Sequence, residues 1–312
     1  SSIWRKIPSL PGRSSRRTAG FPCEKNMKKE RKYNGLRKSA EQSPVSTMLI
    51  VLLLAAGIFL FPVEDMMRLF TGRYGLTEEL AGTMAVRYLF AAVIVKLAYD
   101  FGFERLYLWS PFGKGALYAL PFLLVAINNA PIIGLATGNA SVTAGAGDIV
   151  LYLFMSLSVG LLEELIFRGI VLPLCMIRLK GKKHALFWSV ALSSAIFGGM
   201  HLINLLSGNV GGVLLQVGYS FLIGGMCAAA TVKAGCVYPA IVLHAVYNAG
   251  GLLIGTLGTG TQWDVVTVVV TAVLGVAVFV YAFFTLWKED GAQLYEKIGF
   301  PPEAETINNR DN

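Results

Sequence analysis

Three short stretches place acid–base side chains inside apolar runs of this chain. "EELIFR" at 163–168 sets Glu163, Glu164 and Arg168 in a run from Ile149 to Leu174. "FGGMH" at 197–201 sets Phe197 four residues before His201, and "HAVYN" at 244–248 sets His244 four before Asn248. Ionisable groups at such depth cost several kcal/mol unless paired or hydrated, so they usually mark function. On a helix Glu164 and Arg168 share a face and can pair. Glu163 is turned about 100° from Glu164. It is the freer carboxylate, the one available as a general base.

Depth agrees with convergence. At 1.5 Å per residue, Glu163 lies ~22 Å from Arg178, and His201 ~27 Å from Lys183. His244 and Asn248 lie ~17 and ~22 Å from Lys233 by the same rise. All fall in one layer near mid-membrane, and Gly160, Gly169, Gly198 and Gly199 would let their helices approach closely. A lone intramembrane His or Asn often only bonds a neighbouring helix, and a lone Glu–Arg pair can be a clamp. Five such groups on three helices argue instead for a site. Asn128 and Asn129, just before Pro131, are weaker candidates for substrate contact. They can equally satisfy the backbone that the proline breaks. Arg87 reads as a snorkelling or helix-pairing residue.

The elements that must position these groups are membrane helices. The 312 residues are 54% hydrophobic and 15% charged, against about 25% charged for a soluble domain. The expected fold is all-α, a polytopic membrane bundle of about eight helices. The candidate spans are 47–63, 81–99, 116–136, 149–174, 185–204, 210–232, 236–257 and 264–287, the first being the shortest. No internal repeat is visible, which disfavours an inverted-repeat transporter. Lys and Arg gather in alternate connections: Arg105 and Lys114, then Arg178 to Lys183, then Lys233, then Lys288 and Lys297. The other connections hold only Arg68 and Arg73. This bias predicts a cytoplasmic N-terminus.

The net charge of +8 is no nucleic-acid signal, because basic residues crowd into 1–46. That segment reads as a disordered cytoplasmic tail, able to touch anionic lipid. Residues 47–287 form the bundle, with the chemistry in 149–257, and 288–312 read as a polar cytoplasmic tail. Met27, followed by "KKERK", is a candidate start, and no small-residue cleavage site follows the first apolar run. Cys23, Cys175, Cys227 and Cys236 have no C-x-x-C spacing and suit reduced thiols.

Taken together, the three stretches resemble the CPBP family of intramembrane proteases, which covers type II CAAX prenyl endopeptidases and bacterial Abi, or bacteriocin-processing, relatives. The family pattern is E-E-x-x-x-R, then F-x-x-x-H, then H-x-x-x-N, each on its own apolar helix. The resemblance covers 149–257 and implies peptide-bond hydrolysis in or near the membrane. It implies that Glu163 activates water with help from His201, that His244 and Asn248 stabilise the oxyanion, and that Glu164 and Arg168 hold the constellation. Family usage as metalloproteases leaves zinc possible, on Glu163, His201 and His244. H-E-x-x-H is absent, however, and a metal-free glutamate mechanism is at least as compatible. The implied partners are membrane lipid and a hydrophobic or lipidated peptide. The expected location is the plasma membrane of a bacterium. A non-catalytic immunity or scaffold protein of the same fold is the alternative from another class, and a small-solute transporter is a third.

Overall fold

The structure is a computed structural model and describes residues 35–108 and 117–300. Residues 1–34, most of the expected basic tail, lie outside them, as do 109–116 and 301–312. The described chain is helical throughout apart from one small antiparallel pairing.

Helices α1 (Gly35–Gln42) and α2 (Pro44–Phe59) open the bundle, followed by α3 (Val63–Thr71) and α4 (Leu76–Phe101). Next come α5 (Leu120–Asn128), α6 (Ile132–Thr137) and strand β1 (Ala140–Val142). The long α7 (Ala146–Ile166) continues through a π turn into α8 (Leu172–Leu179). Then follow α9 (Ala185–Met200), α10 (Val210–Ala234), α11 (Tyr238–Gly251) and α12 (Leu253–Leu257). Strand β2 (Gly258–Gly260), α13 (Val265–Trp287) and α14 (Ala292–Lys297) complete the chain. Helix α7 is central, packed between α4 and α11, while α9 and α10 pair beside it.

Among the described residues, five helical stretches have the length and apolarity to cross a membrane, or six if α1 and α2 count as one bent span. The sequence reading expects eight, and the difference has local causes. Ser43 precedes Pro44, and a residue before proline is disfavoured in the helical region. The chain therefore turns 116° between α1 and α2, and α2 is left with 16 residues. That is ~24 Å at 1.5 Å per residue, short of a ~30 Å hydrocarbon core. Pro131 divides the expected span 116–136 between α5 and α6. The expected span 236–257 is divided between α11 and α12. Gln262 bonds the backbone at both breaks. It donates to Asn129 O (3.2 Å) and Gly250 O (3.0 Å) and accepts from Ile254 N at 3.1 Å.

Both expected tails are partly corrected. From Gly35 onward the chain is helical and packed, with Ala40 fully buried. At the other end α14 docks on the bundle through Leu294 and Tyr295, and the Tyr295 hydroxyl donates to Met176 O at 3.1 Å. The pairing of β1 with β2, Ala140 opposite Gly260 and Val142 opposite Gly258, is a second departure from a purely helical expectation. Nearby, the carboxyl of Asp264 caps α13. Hydrogen bonds from the Thr267 hydroxyl (2.6 Å) and amide (2.9 Å) hold it below the usual carboxylate range.

Two local features set the site. Pro173 has no amide hydrogen, and its ring would clash with the carbonyl four residues back. The chain answers with a wide turn over Phe167–Val171 just ahead of it. Such π turns are rare and concentrate at functional sites. Tyr107 supports the turn, donating its hydroxyl to Leu165 O at 2.8 Å. The bare Cα of Gly169 leaves room for that ring.

The second feature is the contact of α7 with α11. A Cβ on Gly160 would stand 2.8 Å from Ala245 N and 3.0 Å from Ile241 O, both rigid backbone atoms. Gly198 plays the same part between α9 and α10, 2.8 Å from Val217 O, whereas Gly199 meets nothing within 4 Å and is not a packing glycine. Gly160→Val is expected to lower stability by about 3 kcal/mol through overpacking. Thermal unfolding in detergent measures it, and an unchanged Tm would show that the two helices can separate freely.

Candidate active site

A cavity of about 740 Å³ runs from the middle of the bundle to one end. Its walls come from α4 (Glu79, Thr83, Arg87), α7 (Met155, Val159, Glu163) and the end of α9 with the following 3-10 turn (Phe197, His201, Asn204). Helix α10 adds Gln216, Tyr219 and Ile223, and α11 adds His244, Tyr247 and Asn248. Met155, Val159 and Glu163 are spaced by four, so one face of α7 lines the cavity. Glu164, one position on, faces the core instead and is fully buried.

Glu164 is committed on two sides. Its Oε1 accepts from Arg168 Nη1 at 2.9 Å and from His244 Nδ1 at 2.7 Å. Arg168, also fully buried, donates from Nη2 to Gly224 O at 2.8 Å and lies 4.6 Å over the Phe197 ring. A cation over an aromatic face gains further stabilisation. Phe197 is a hub, because its ring also meets Phe167, His201 and His244 edge-on at 4.9, 5.1 and 5.7 Å. Gly224 makes room for this stack: a Cβ there would stand 3.1 Å from Phe197 and 3.2 Å from Arg168 Nη2.

Glu163 is held more loosely. Its Oε2 lies 3.7 Å from His244 Nε2, and its Oε1 lies 3.7 Å from Arg87 Nη1. Both separations exceed a hydrogen bond. The carboxylate therefore has the Arg87 cation and the His244 ring nearby and still faces the cavity with unfilled acceptor capacity.

The imidazole tautomers follow from the partners, since carboxylates and carbonyls only accept. His244 donates Nδ1–H to Glu164, which leaves Nε2 turned to Glu163. His201 donates Nδ1–H to the Phe197 carbonyl at 3.0 Å, leaving its Nε2 lone pair unused. The side chain of Asn248 lines the same cavity. Its helix is pinned by the Tyr152 hydroxyl, which contacts Asn248 O (3.2 Å) and Ala249 O (2.8 Å).

The structure thus gathers Glu163, His201, His244, Asn248 and Phe197 around one cavity and places Glu164 and Arg168 directly behind it. Asn129 also lines it, donating to Tyr247 O at 2.7 Å. Asn128 does not line it; its side chain donates to Thr271 on α13 at 2.8 Å. Because α5 turns about 100° per residue, neighbouring asparagines face different elements. Arg87 is the residue the sequence reading underrates. The available signal was a lone arginine one helical turn below Thr83 in an apolar run, but which group it meets depends on how α4 packs on α7.

The zinc expectation does not fit the donor set. Among the described residues, no three His, Cys, Asp or Glu side chains gather so that they could hold a metal ion. His244 and His201 use Nδ1 on Glu164 and on the Phe197 carbonyl, respectively, which by itself is compatible with a ligand; what is missing is the convergence of three donors. Glu163, His201 and His244 share a cavity, not a coordination sphere.

Residues 145–250 match the family model described as Type II CAAX prenyl endopeptidase Rce1-like. This segment of the chain is Rce1-like. The match bears out the resemblance to CAAX-type intramembrane proteases that the three motifs carry. No curated protein and no solved structure matches the chain. The Rce1-like segment contains α7 through α11 almost entire, and with them Glu163, Glu164, Arg168, His201, His244 and Asn248, while Glu79, Thr83, Arg87 and Asn129 lie outside it. Apolar helices of spanning length and this family match together describe an integral membrane protein with a CAAX-protease-like segment at 145–250.

Proposed function

We propose that this chain is an intramembrane endopeptidase that cleaves a membrane-associated hydrophobic or lipidated peptide with a glutamate-activated water. The observation that carries the reading is the unequal treatment of two adjacent carboxylates. Glu164 is bound by Arg168 and His244, and Glu163 is left facing the cavity.

Glu163 accepts a proton from water as the water oxygen forms its bond to the scissile carbonyl carbon. The unused Nε2 of His201 accepts a hydrogen bond from that water and orients it. The carbonyl π electrons move to oxygen, and the oxyanion is met by the Asn248 amide and by a proton carried on His244 Nε2. Donors of this kind are often worth several kcal/mol in the transition state. Collapse reforms the C=O bond, breaks C–N, and returns the proton from Glu163 to the leaving amine. Glu164 keeps His244 in the tautomer and orientation this requires, as a carboxylate does behind other catalytic imidazoles.

The route proposed here uses only the side chains of this chain and runs no step through a metal. Purified protein is therefore expected to keep its activity in excess chelator, with no stoichiometric metal by elemental analysis. Activity lost to the chelator and restored by zinc would overturn the metal-free route. The test of the function itself is cleavage, followed by mass spectrometry, of farnesylated CAAX peptides and unprenylated hydrophobic peptides by detergent-solubilised protein. New termini from either set support the reading; intact peptides in both count against it. We place the chain in a bacterial plasma membrane, and the asymmetry of basic residues supports an N-terminus inside.

A further inference from the structure

We infer that substrate enters this cavity from the non-cytoplasmic face, and that the substrate class is an unprenylated peptide whose scissile bond lies on that side. The inference rests on the proteolytic reading for its substrate, and on the cavity's geometry with the distribution of Lys and Arg for its direction.

Every wall of the cavity extends from the catalytic layer toward the same end. Helix α7 contributes Met155 and Val159, toward its start; α4 contributes Glu79 near its start. The turn after α9 contributes Asn204 and Ser207, and Trp263 stands just ahead of α13. The connections at this end are tied to one another. Strands β1 and β2 pair there, Thr77 bonds Asp148 at 2.7 Å, and Asn204 bonds Gln216 at 2.8 Å.

The described basic connections lie at the opposite end. They too are tied together: Lys233 with Glu289, Lys297 with Gly235 O, and His184 stacked 3.8 Å from Trp287. Arg178, Lys180, Lys182 and Lys183 extend from the end of α8 beside them. At the mouth end, among the described residues, the connections carry only Arg68 and Arg73, and both are bound to acids, Glu64 and Glu78. Lys and Arg in short connections mark the cytoplasmic side. The mouth therefore opens away from the cytoplasm, across the bundle from the leaflet in which a cytoplasmic prenyl-cysteine would be anchored.

The orientation is measurable without any activity. In the full chain with Cys23→Ser, whose other cysteines are buried, single variants Ser207→Cys at the mouth and Lys182→Cys at the basic end are treated with a membrane-impermeant maleimide in intact cells. Ser207→Cys is expected to react at once, and Lys182→Cys only after permeabilisation. The reverse pattern, or equal reaction of both in intact cells, overturns the inference. Sealed right-side-out and inside-out vesicles then receive an unprenylated hydrophobic peptide or a farnesylated CAAX peptide. Cleavage of the unprenylated peptide in right-side-out vesicles, latent in inside-out ones, supports the substrate class. Preferential cleavage of the farnesylated peptide in inside-out vesicles overturns it. If the maleimide pattern holds and detergent-opened vesicles cleave neither peptide, the proteolytic reading fails, and the substrate class with it, while the access face stands.

Discussion

Replacing Glu163 with Gln is expected to reduce peptide cleavage by about 10²–10⁴-fold, the range a positioned general base contributes. The substitution keeps the size of the side chain and removes its ability to take a proton. The fold should tolerate it, because Glu163 makes no hydrogen bond as short as those of Glu164; its two ionic neighbours stand 3.7 Å away. Glu163→Gln protein with unchanged Tm and no turnover is the expected result. Full biological activity in this variant would instead favour a non-catalytic immunity or scaffold role. Solute flux across proteoliposomes that Glu163→Gln abolishes, with no peptide cleaved, would favour a transporter. Arg87→Gln separates positioning from chemistry. The pair it breaks is a loose one, 3.7 Å apart, and Arg87 Nη1 is buried without a hydrogen-bond partner, so Tm is measured beside turnover. Glu163 would lose its orienting cation, and kcat should fall more than KM rises.

Arg168→Leu is expected to lower stability by about 3–5 kcal/mol, the cost of leaving a buried charge without its partner. The stranded group is Glu164, whose side chain is 0% exposed. The same change removes the donor to Gly224 O and the cation over Phe197. Chemical denaturation in detergent reads the loss. The double variant Glu164→Gln, Arg168→Leu should recover part of the stability, since no charge is then stranded, yet recover no activity, since His244 has lost its carboxylate. A double variant as unstable as Arg168→Leu alone would mean that the cost arises from packing around Phe197 and not from charge. Even in the intact protein, Glu164 Oε2 and Arg168 Nε find no protein partner. Buried pairs with open valences are poor stabilisers, which fits a pair that serves to hold His244.

Much of the site was legible because helical periodicity is a local rule. Two glutamates one residue apart must face different ways, and an arginine four residues on must meet the second. His201 and His244 could be placed at one depth from the count of residues to the nearest lysine. The same arithmetic failed where proline intervened. Pro44, Pro131 and Pro173 each interrupt the backbone, yet the outcomes differ. At Pro44 the chain turns sharply, at Pro131 the helix stops, and at Pro173 it continues through a π turn. What the neighbours supply decides between them: Tyr107 supports the turn ahead of Pro173, whereas Gln262 bonds the carbonyl of Asn129 where α5 ends.

By itself the sequence determined the membrane class, the three motif helices, the Glu164–Arg168 pair and the freedom of Glu163, because each depends on residues within one helix or on the composition of one run. The tertiary structure alone decided that His244 bonds Glu164, that Arg87 stands opposite Glu163, that Asn129 and not Asn128 faces the cavity, and which end of the bundle the cavity opens. These are contacts between side chains far apart in the chain. They depend on how closely α4 and α11 approach α7, and that distance is set by bare Cα atoms such as Gly160 against a neighbouring backbone.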